Sequence, residues 1–203
     1  MSQLSRKGAV AFSLIEILVA IAIIGVLATL AVTWLGASSA KSKEVKCLNN
    51  LKQLSAATQL YCAENMGALP LRGSTPYNSP PWYQPLVSYV SANMKNGSQI
   101  AIENAGIKTF QCPAYKPPPA RDVTYAPDVK CANLSMISIT QPSKKIWLVT
   151  STDSYSVNSS GLQRINFPHK RRAGVLFFDG HTELLTQAEL STIASFAFNP
   201  TTP

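Results

Sequence analysis

Apolar residues dominate the first part of the chain. Residues 12–35 contain a single charged side chain, Glu16. A helix of this length spans about 36 Å at 1.5 Å per residue, and the hydrocarbon core of a bilayer is about 30 Å thick. The run therefore predicts a transmembrane segment over residues 12–35.

The helical pattern continues beyond this run in amphipathic form. No proline occurs between residues 12 and 69, and Gly67 is typical of the left-handed residue that ends a helix. We therefore predict one long helix over residues 12–66, a polar leader at 1–11 and a head at 67–203. The stripe expected to pack on the head recurs every three or four positions and consists of Val45, Leu48, Leu51, Leu54, Thr58 and Tyr61.

The last third of the chain has strand character. Four runs are candidate strands: 145–150, 161–167, 174–178 and 181–185. Together with the long helix they predict the α+β class, in which the helix packs on a small antiparallel sheet.

Two local signals refine this head. Asp179-Gly180 is typical of a two-residue hairpin turn, which would place Phe178 opposite His181 and Leu176 opposite Glu183. The segment that begins at Thr186 reads as a capping box and predicts a helix over about residues 187–198.

Composition narrows the function classes. The 203 residues are 46% hydrophobic and 14% charged, which excludes intrinsic disorder. The net charge of +8 is spread along the chain without a long basic run, so we expect no nucleic-acid partner. No metalloprotease, serine-hydrolase or phosphate-loop motif is present, so we expect no enzyme.

The start of the apolar run resembles a known processing motif. After the basic leader, residues 11–19 read Ala-Phe-Ser-Leu-Ile-Glu-Ile-Leu-Val, which is similar to the prepilin motif of type IV pilins and type II secretion pseudopilins. The resemblance implies that prepilin peptidase cleaves between Ala11 and Phe12 and that the new amine of Phe12 is methylated. The family usually has Gly where this chain has Ala11. The resemblance also implies that Glu16 pairs with the terminal ammonium of a neighbouring subunit during filament assembly.

A second motif lies near the end of the chain. His169 is followed by nine residues and then by Asp179-Gly180. This spacing resembles the processing-associated signature of one group of prepilin-type proteins, which also shares a Phe-x-Cys-Pro element like the one around Cys112. The resemblance implies a pilin-like fold in which the first half of the long helix spans the membrane.

The resemblance implies a structural function. We expect a pseudopilin or pilin-like subunit of a type II secretion pseudopilus or type IV pilus. The expected location is the inner membrane, with a single pass and the head in the periplasm, or in a filament. The expected partners are prepilin peptidase, other pilin-like subunits, inner-membrane lipid and the secretion or pilus assembly platform.

An alternative function rests on aromatic residues. A membrane-anchored periplasmic binding module could use Tyr77, Trp82 and Tyr83 as a platform for carbohydrate or an exported substrate.

The cysteines and histidines are candidates for disulfide pairing and for metal binding. Cys47 and Cys62 lie about 22 Å apart on one helix and cannot pair with each other. Cys112 and Cys131 are a candidate disulfide, and a bond from Cys62 to the head is the other arrangement considered. His169, Asp179, His181 and Glu183 are the candidate metal ligands. Histidine is a poor calcium ligand, and zinc would accept His and Asp, but residues 181 and 183 flank a hairpin and need not point toward Asp179. We therefore predict no metal and no cofactor.

Overall fold

The computed structural model describes residues 13–70, 81–90, 108–115, 123–152, 157 and 162–200. The predicted leader, including the cleavage site Ala11-Phe12, lies outside the described residues. The chain divides into two compact units, residues 1–41 and 42–203.

Three α-helices are present in the described residues. Helix α1 covers Leu14–Glu64, α2 covers Val87–Val90 and α3 covers Gln187–Ala197. Helix α1 ends two residues before the predicted bound. Met66 and Gly67 after it both have positive φ, 53° and 80°, and Gly67 donates its N–H to the Cys62 carbonyl. The described residues also contain six 3₁₀ helices: Gln84–Leu86, Lys108–Phe110, Val129–Cys131, Met136–Ser138, Pro142–Lys144 and Leu162–Arg164.

In the part of the chain that the structure describes, four strands form one antiparallel sheet in the order β1-β2-β3-β4. They are β1 Tyr125–Pro127, β2 Ile146–Thr150, β3 Arg172–Phe177 and β4 Thr182–Thr186. Strand β1 was not predicted. The predicted strand over 161–167 is wrong, because its described part begins with a 3₁₀ helix and adds only an isolated bridge at Ile165.

The two faces of the sheet pack in two different hydrophobic clusters. In β3, Val175 belongs to a cluster that includes Leu190 and Phe198 of the C-terminal region. The next residue, Leu176, belongs to a cluster that includes Leu51 and Leu54 of α1. This alternation follows from the two-residue period of a strand.

The hairpin between β3 and β4 has a different register from the one predicted. Phe177, not Phe178, pairs with His181, and Leu176 lies opposite Thr182. The loop therefore contains three residues, and only its last residue, Gly180, has a positive φ (94°). A two-residue turn of the predicted type would need positive φ at both Asp179 and Gly180, so the register moved by one residue.

The C-terminal helix agrees with its sequence signal. Thr186 Oγ1 accepts the Glu189 N–H at 3.3 Å, and Glu189 Oε2 accepts the Thr186 N–H at 2.7 Å. These reciprocal bonds form the predicted capping box at the start of α3.

The predicted pilin-like fold needs correction in its helix. No helix among the described residues is long and apolar enough to cross a membrane, so the predicted membrane-spanning first half is wrong. The apolar stretch with described side chains, 14–30, is about 25 Å long and carries Glu16, whereas a bilayer core is about 30 Å thick. The predicted single-pass inner-membrane location conflicts with this finding and is wrong as well.

The predicted packing of the long helix on the sheet also needs correction. Side-chain contacts with the sheet and its β3–β4 turn come from one stretch of α1, between Glu44 and Gln59. The Arg172 guanidinium lies 2.7 Å from Glu44, and Trp147 donates its indole N–H to Thr58 at 3.2 Å. A short segment of α1 thus contacts the sheet, rather than the helix over its length.

Candidate functional site

Three buried side chains from distant parts of the chain meet beside α1. Cys47 lies on α1, Cys112 follows the Lys108–Phe110 turn, and His169 precedes β3. One ligand atom from each residue lies within 4.8 Å of the other two, and none of the three residues is more than 3% exposed. We call these three residues the thiol–imidazole cluster.

Direct contacts organise the cluster. Cys112 Sγ lies 3.1 Å from His169 Nε2, and Cys47 Sγ lies 3.3 Å from the Tyr125 hydroxyl. The Cys112 N–H donates to Thr124 Oγ1 at 2.5 Å. Tyr125, the first residue of β1, thus contacts the Cys47 thiol, and Thr124 just before it binds the backbone of Cys112.

A tight turn positions the histidine. His169 and Arg172 exchange backbone hydrogen bonds of 3.0 and 3.2 Å. The two residues between them, Lys170 and Arg171, have φ values of 51° and 64°. Side-chain-bearing residues adopt this left-handed region at a free-energy cost, and such strain concentrates at functional sites. The turn lies just before β3 and places the His169 ring beside Cys112.

The two thiols are electrostatically unequal. The pKa of Cys112 is lowered, chiefly by the hydrogen bond with Cys47 and then by that with His169. The pKa of Cys47 is raised by the same hydrogen bond and by burial. Burial also raises the pKa of the neighbouring Tyr125. The pair therefore loses its first proton from Cys112.

One side of the cluster reaches an open pocket. This pocket has a volume of about 420 Å³ and includes Cys112 in its wall. The same pocket is lined by three basic residues, Lys43, Lys46 and Lys108. Small molecules and ions can therefore approach Cys112 through a basic environment.

The Asp179-Gly180 part of the motif lies at the other end of β3 from His169. Asp179 Oδ1 lies 2.5 Å from His181 Nδ1, and His181 Nε2 lies 3.9 Å from Glu183 Oε1. A Cβ on Gly180 would lie 3.0 Å from Ser55 Oγ of α1. The motif residues are thus divided: His169 joins the thiols, and Gly180 provides a close approach to the helix.

The other predicted residues are placed as follows. Glu16 lies in the first turn of α1, where its Oε2 accepts the Ser13 N–H at 3.0 Å. Cys131 is buried, and all four cysteines are free thiols, so the Cys112–Cys131 disulfide is not formed in this structure. Trp82 and Tyr83 are buried in the head core. Tyr77 lies outside the described residues.

Sequence reasoning did not assemble the cluster. It examined the cysteines as disulfide partners and examined His169 only together with Asp179, His181 and Glu183. Cys47 lies on the buried side of α1. Counting cysteine as an apolar residue would have added Cys47 to the stripe predicted to pack on the head. Among the described residues, the thiol–imidazole cluster is the group of three or more potential ligands that the fold brings together.

Comparisons with known proteins return no match: no family model, no curated protein and no solved structure matches this chain.

Proposed function

We propose that this chain is a pilin-like structural subunit of a type II secretion pseudopilus or type IV pilus. In this proposal, prepilin peptidase cleaves between Ala11 and Phe12, and subunits assemble through the N-terminal helix. The observation that supports it is the surface of α1 over residues 14–30. Its large apolar side chains are between 49% and 84% exposed, and they are Leu14, Ile15, Ile17, Leu18, Val19, Ile21, Ile23, Ile24, Val26, Leu27 and Leu30.

Such a surface needs a cover in the working protein. The exposed apolar side chains follow one another at intervals of one to three positions, and at about 100° per residue they are spread around every side of the helix. A helix that is apolar all round is buried in its functional state, and monomers rarely leave contiguous apolar patches of this size exposed. Helices of neighbouring subunits can cover every side at once, because each helix in a filament core is surrounded by others.

Glu16 supports the same proposal. In the single chain its carboxylate accepts the Ser13 N–H, as an acidic residue does in the first turn of a helix. Cleavage after Ala11 would create a new ammonium on Phe12, close in sequence to this carboxylate. In the filament, the same carboxylate would pair with the ammonium of a neighbour and set the register between helices.

The alternative binding module has less support. Trp82 is 1% exposed and Tyr83 is 2% exposed, so neither ring offers a face to a carbohydrate. Both rings pack against Phe110 inside the head. Its membrane anchor also conflicts with the absence of an apolar spanning helix among the described residues.

The test combines processing with crosslinking in the native host. Peptide mass spectrometry should find a mature chain that begins at N-methylated Phe12. A photo-crosslinking amino acid at Ile21 should join the helices of two subunits, with the crosslinked peptide inside residues 14–30. The matched control places the same amino acid at Met66, which is 97% exposed but lies in the unit formed by residues 42–203.

A charge variant tests the role of Glu16. Glu16→Leu should abolish the Ile21 crosslink, whereas Glu183→Gln, which removes an exposed carboxylate from the head, should leave it unchanged. A mature start after residue 35, or crosslinks at Ile21 that map to an unrelated protein only, would overturn the filament proposal.

A further inference from the structure

The thiol–imidazole cluster has the composition and burial of a metal site. Two cysteine sulfurs and one histidine nitrogen converge from three separate elements of the head. We propose that Cys47, Cys112 and His169 bind one thiophilic metal ion with a filled d shell, Zn²⁺ or Cu⁺. This site is independent of the filament proposal, because its ligands all belong to the unit formed by residues 42–203.

The donor set selects the class of metal. Thiolate and imidazole are the ligands that zinc and monovalent copper prefer in proteins. Calcium and magnesium need oxygen ligands, and the cluster contributes no carboxylate. Two sulfurs with one nitrogen leave at least one coordination position for a further ligand when the ion is tetrahedral.

The distances are close to those that binding requires. Zinc bonds of about 2.3 Å to sulfur and 2.0–2.1 Å to nitrogen place tetrahedral ligand atoms about 3.5–3.8 Å apart. The three ligand atoms already lie within 4.8 Å of one another, and Cys112 Sγ is 3.1 Å from His169 Nε2. Side-chain adjustments of about 1 Å or less would complete the geometry.

The surroundings hold each ligand in place without the ion. Gly174 leaves room for Cys47, because a Cβ at that position would lie 3.1 Å from Cys47 Sγ. The backbone N–H of Cys112 is bound by Thr124, and the strained turn fixes His169. Preorganised ligands of this kind lower the ordering cost of metal binding.

An ion can reach the site, and the proton balance is simple. Cys112 lines the open pocket of about 420 Å³, which connects the cluster to solvent and can supply water as the remaining ligand. Binding needs both sulfurs as thiolates, so each cysteine that still carries its proton releases it as the ion enters. Oxidation would compete, since a Cys47–Cys112 disulfide would remove both sulfur ligands.

The first experiment uses the full chain, reduced and oxygen-free, in a non-ionic detergent that covers the apolar helix. Titration with Co²⁺ should produce the near-ultraviolet thiolate charge-transfer band and the intense visible bands of a tetrahedral site, saturating at one ion per chain. Competition with a chelator then gives the affinity for Zn²⁺ and, in a parallel arm, for Cu⁺. Tight stoichiometric binding of either ion supports the proposal, and the stronger arm identifies the ion.

Matched variants test the ligands. Cys112→Ser, Cys47→Ser and His169→Gln should each weaken binding by more than about tenfold, since even the loss of an outer-shell partner weakens metal affinity about 10- to 100-fold. Cys62→Ser and Cys131→Ser remove buried thiols outside the cluster and should leave the affinity unchanged. The Co²⁺ spectrum of the unmodified chain needs no variant, so it remains decisive if a substitution prevents folding.

Three outcomes would overturn the proposal. They are the absence of stoichiometric binding by the reduced chain in both the Zn²⁺ and the Cu⁺ arm, an equal loss of affinity in the cluster and control variants, and a Cys47–Cys112 disulfide in chain alkylated directly in the cell.

Discussion

Asp128 predicts a pH-dependent stability of the head with a defined sign. The residue is 1% exposed, and burial raises the pKa of its carboxyl from 3.8 to about 6. Its Oδ1 accepts the Lys130 N–H at 3.1 Å, whereas its buried Oδ2 has no hydrogen-bond partner among the residues that the structure describes. The folded head therefore disfavours the ionised form of Asp128.

The direction follows from proton counting. Between pH 3.8 and about 6 the folded chain keeps a proton on Asp128 that the unfolded chain releases. Stability then falls as pH rises through this window, since the folded state binds more protons. A pKa difference of about 2 at 1.36 kcal/mol per pKa unit corresponds to as much as about 3 kcal/mol, lost in full above pH 6 or so.

Asp128→Asn removes this penalty while preserving the shape of the side chain. The measured quantity is the free energy of unfolding of Asp128→Asn minus that of the wild type. We expect this difference to increase by about 1–3 kcal/mol between pH 4 and pH 7. Urea unfolding at several pH values, followed by the emission of buried Trp82 and Trp147, measures this difference. Taking the difference cancels the titration of groups that both chains share.

The reasoning fails if the difference between the two chains is the same at pH 4 and pH 7. It also fails if the variant loses stability relative to wild type as pH rises, because that sign would require an Asp128 carboxylate stabilised by the folded state.

Two further predictions concern contacts of α1 with β3 and its turn. Glu44→Gln should lower the free energy of unfolding by about 1–2 kcal/mol, because the side chain of Glu44 is 6% exposed and bonds the Arg172 guanidinium at 2.7 Å. Urea unfolding measures this loss, with Glu183→Gln at an exposed carboxylate as the control. Equal losses in the two variants would contradict the prediction. Gly180→Ala should destabilise the head by about 1–3 kcal/mol, since φ is 94° and the new Cβ would meet Ser55 Oγ at 3.0 Å. Thermal unfolding of Gly180→Ala with and without Ser55→Gly separates backbone strain from the contact, and full recovery in the double variant would show that strain contributes nothing.

Local signals in the sequence predicted the local structure well. The capping box placed the start of α3 at Gln187, and Gly67 has the expected positive φ in the turn that follows α1, because each signal acts through hydrogen bonds within a few residues. The Asp179-Gly180 pair located the hairpin but not its register. Two- and three-residue loops share the same residues, and the choice between them depends on contacts such as the Phe177–His181 stack at 4.1 Å.

The buried face of α1 was predicted only in part. Leu51, Leu54 and Tyr61 are buried as expected, but Val45 is 57% exposed, and Glu44 and Cys47 are buried in its place. A hydrophobic pattern ranks valine above glutamate, whereas tertiary pairing with Arg172 reverses that order. The thiol–imidazole cluster lay beyond such reasoning for the same reason, since its members are separated by at least 57 residues and meet only through tertiary packing.

The nine residues between His169 and Asp179 have a structural explanation in this fold. They contain β3 and the beginning of the following turn, so the motif marks the two ends of one strand. At one end His169 reaches the thiol of Cys112 beside Cys47, and at the other Gly180 approaches Ser55. Both helix partners lie on α1, eight positions apart, and Gly174 between them also faces Cys47. A different number of residues between His169 and Asp179 would break the contact at one end of β3 while preserving the contact at the other end. The spacing in the motif therefore fixes how β3 packs on α1. A metal ion at Cys47 would reinforce that docking on the same helix through which we propose that subunits assemble.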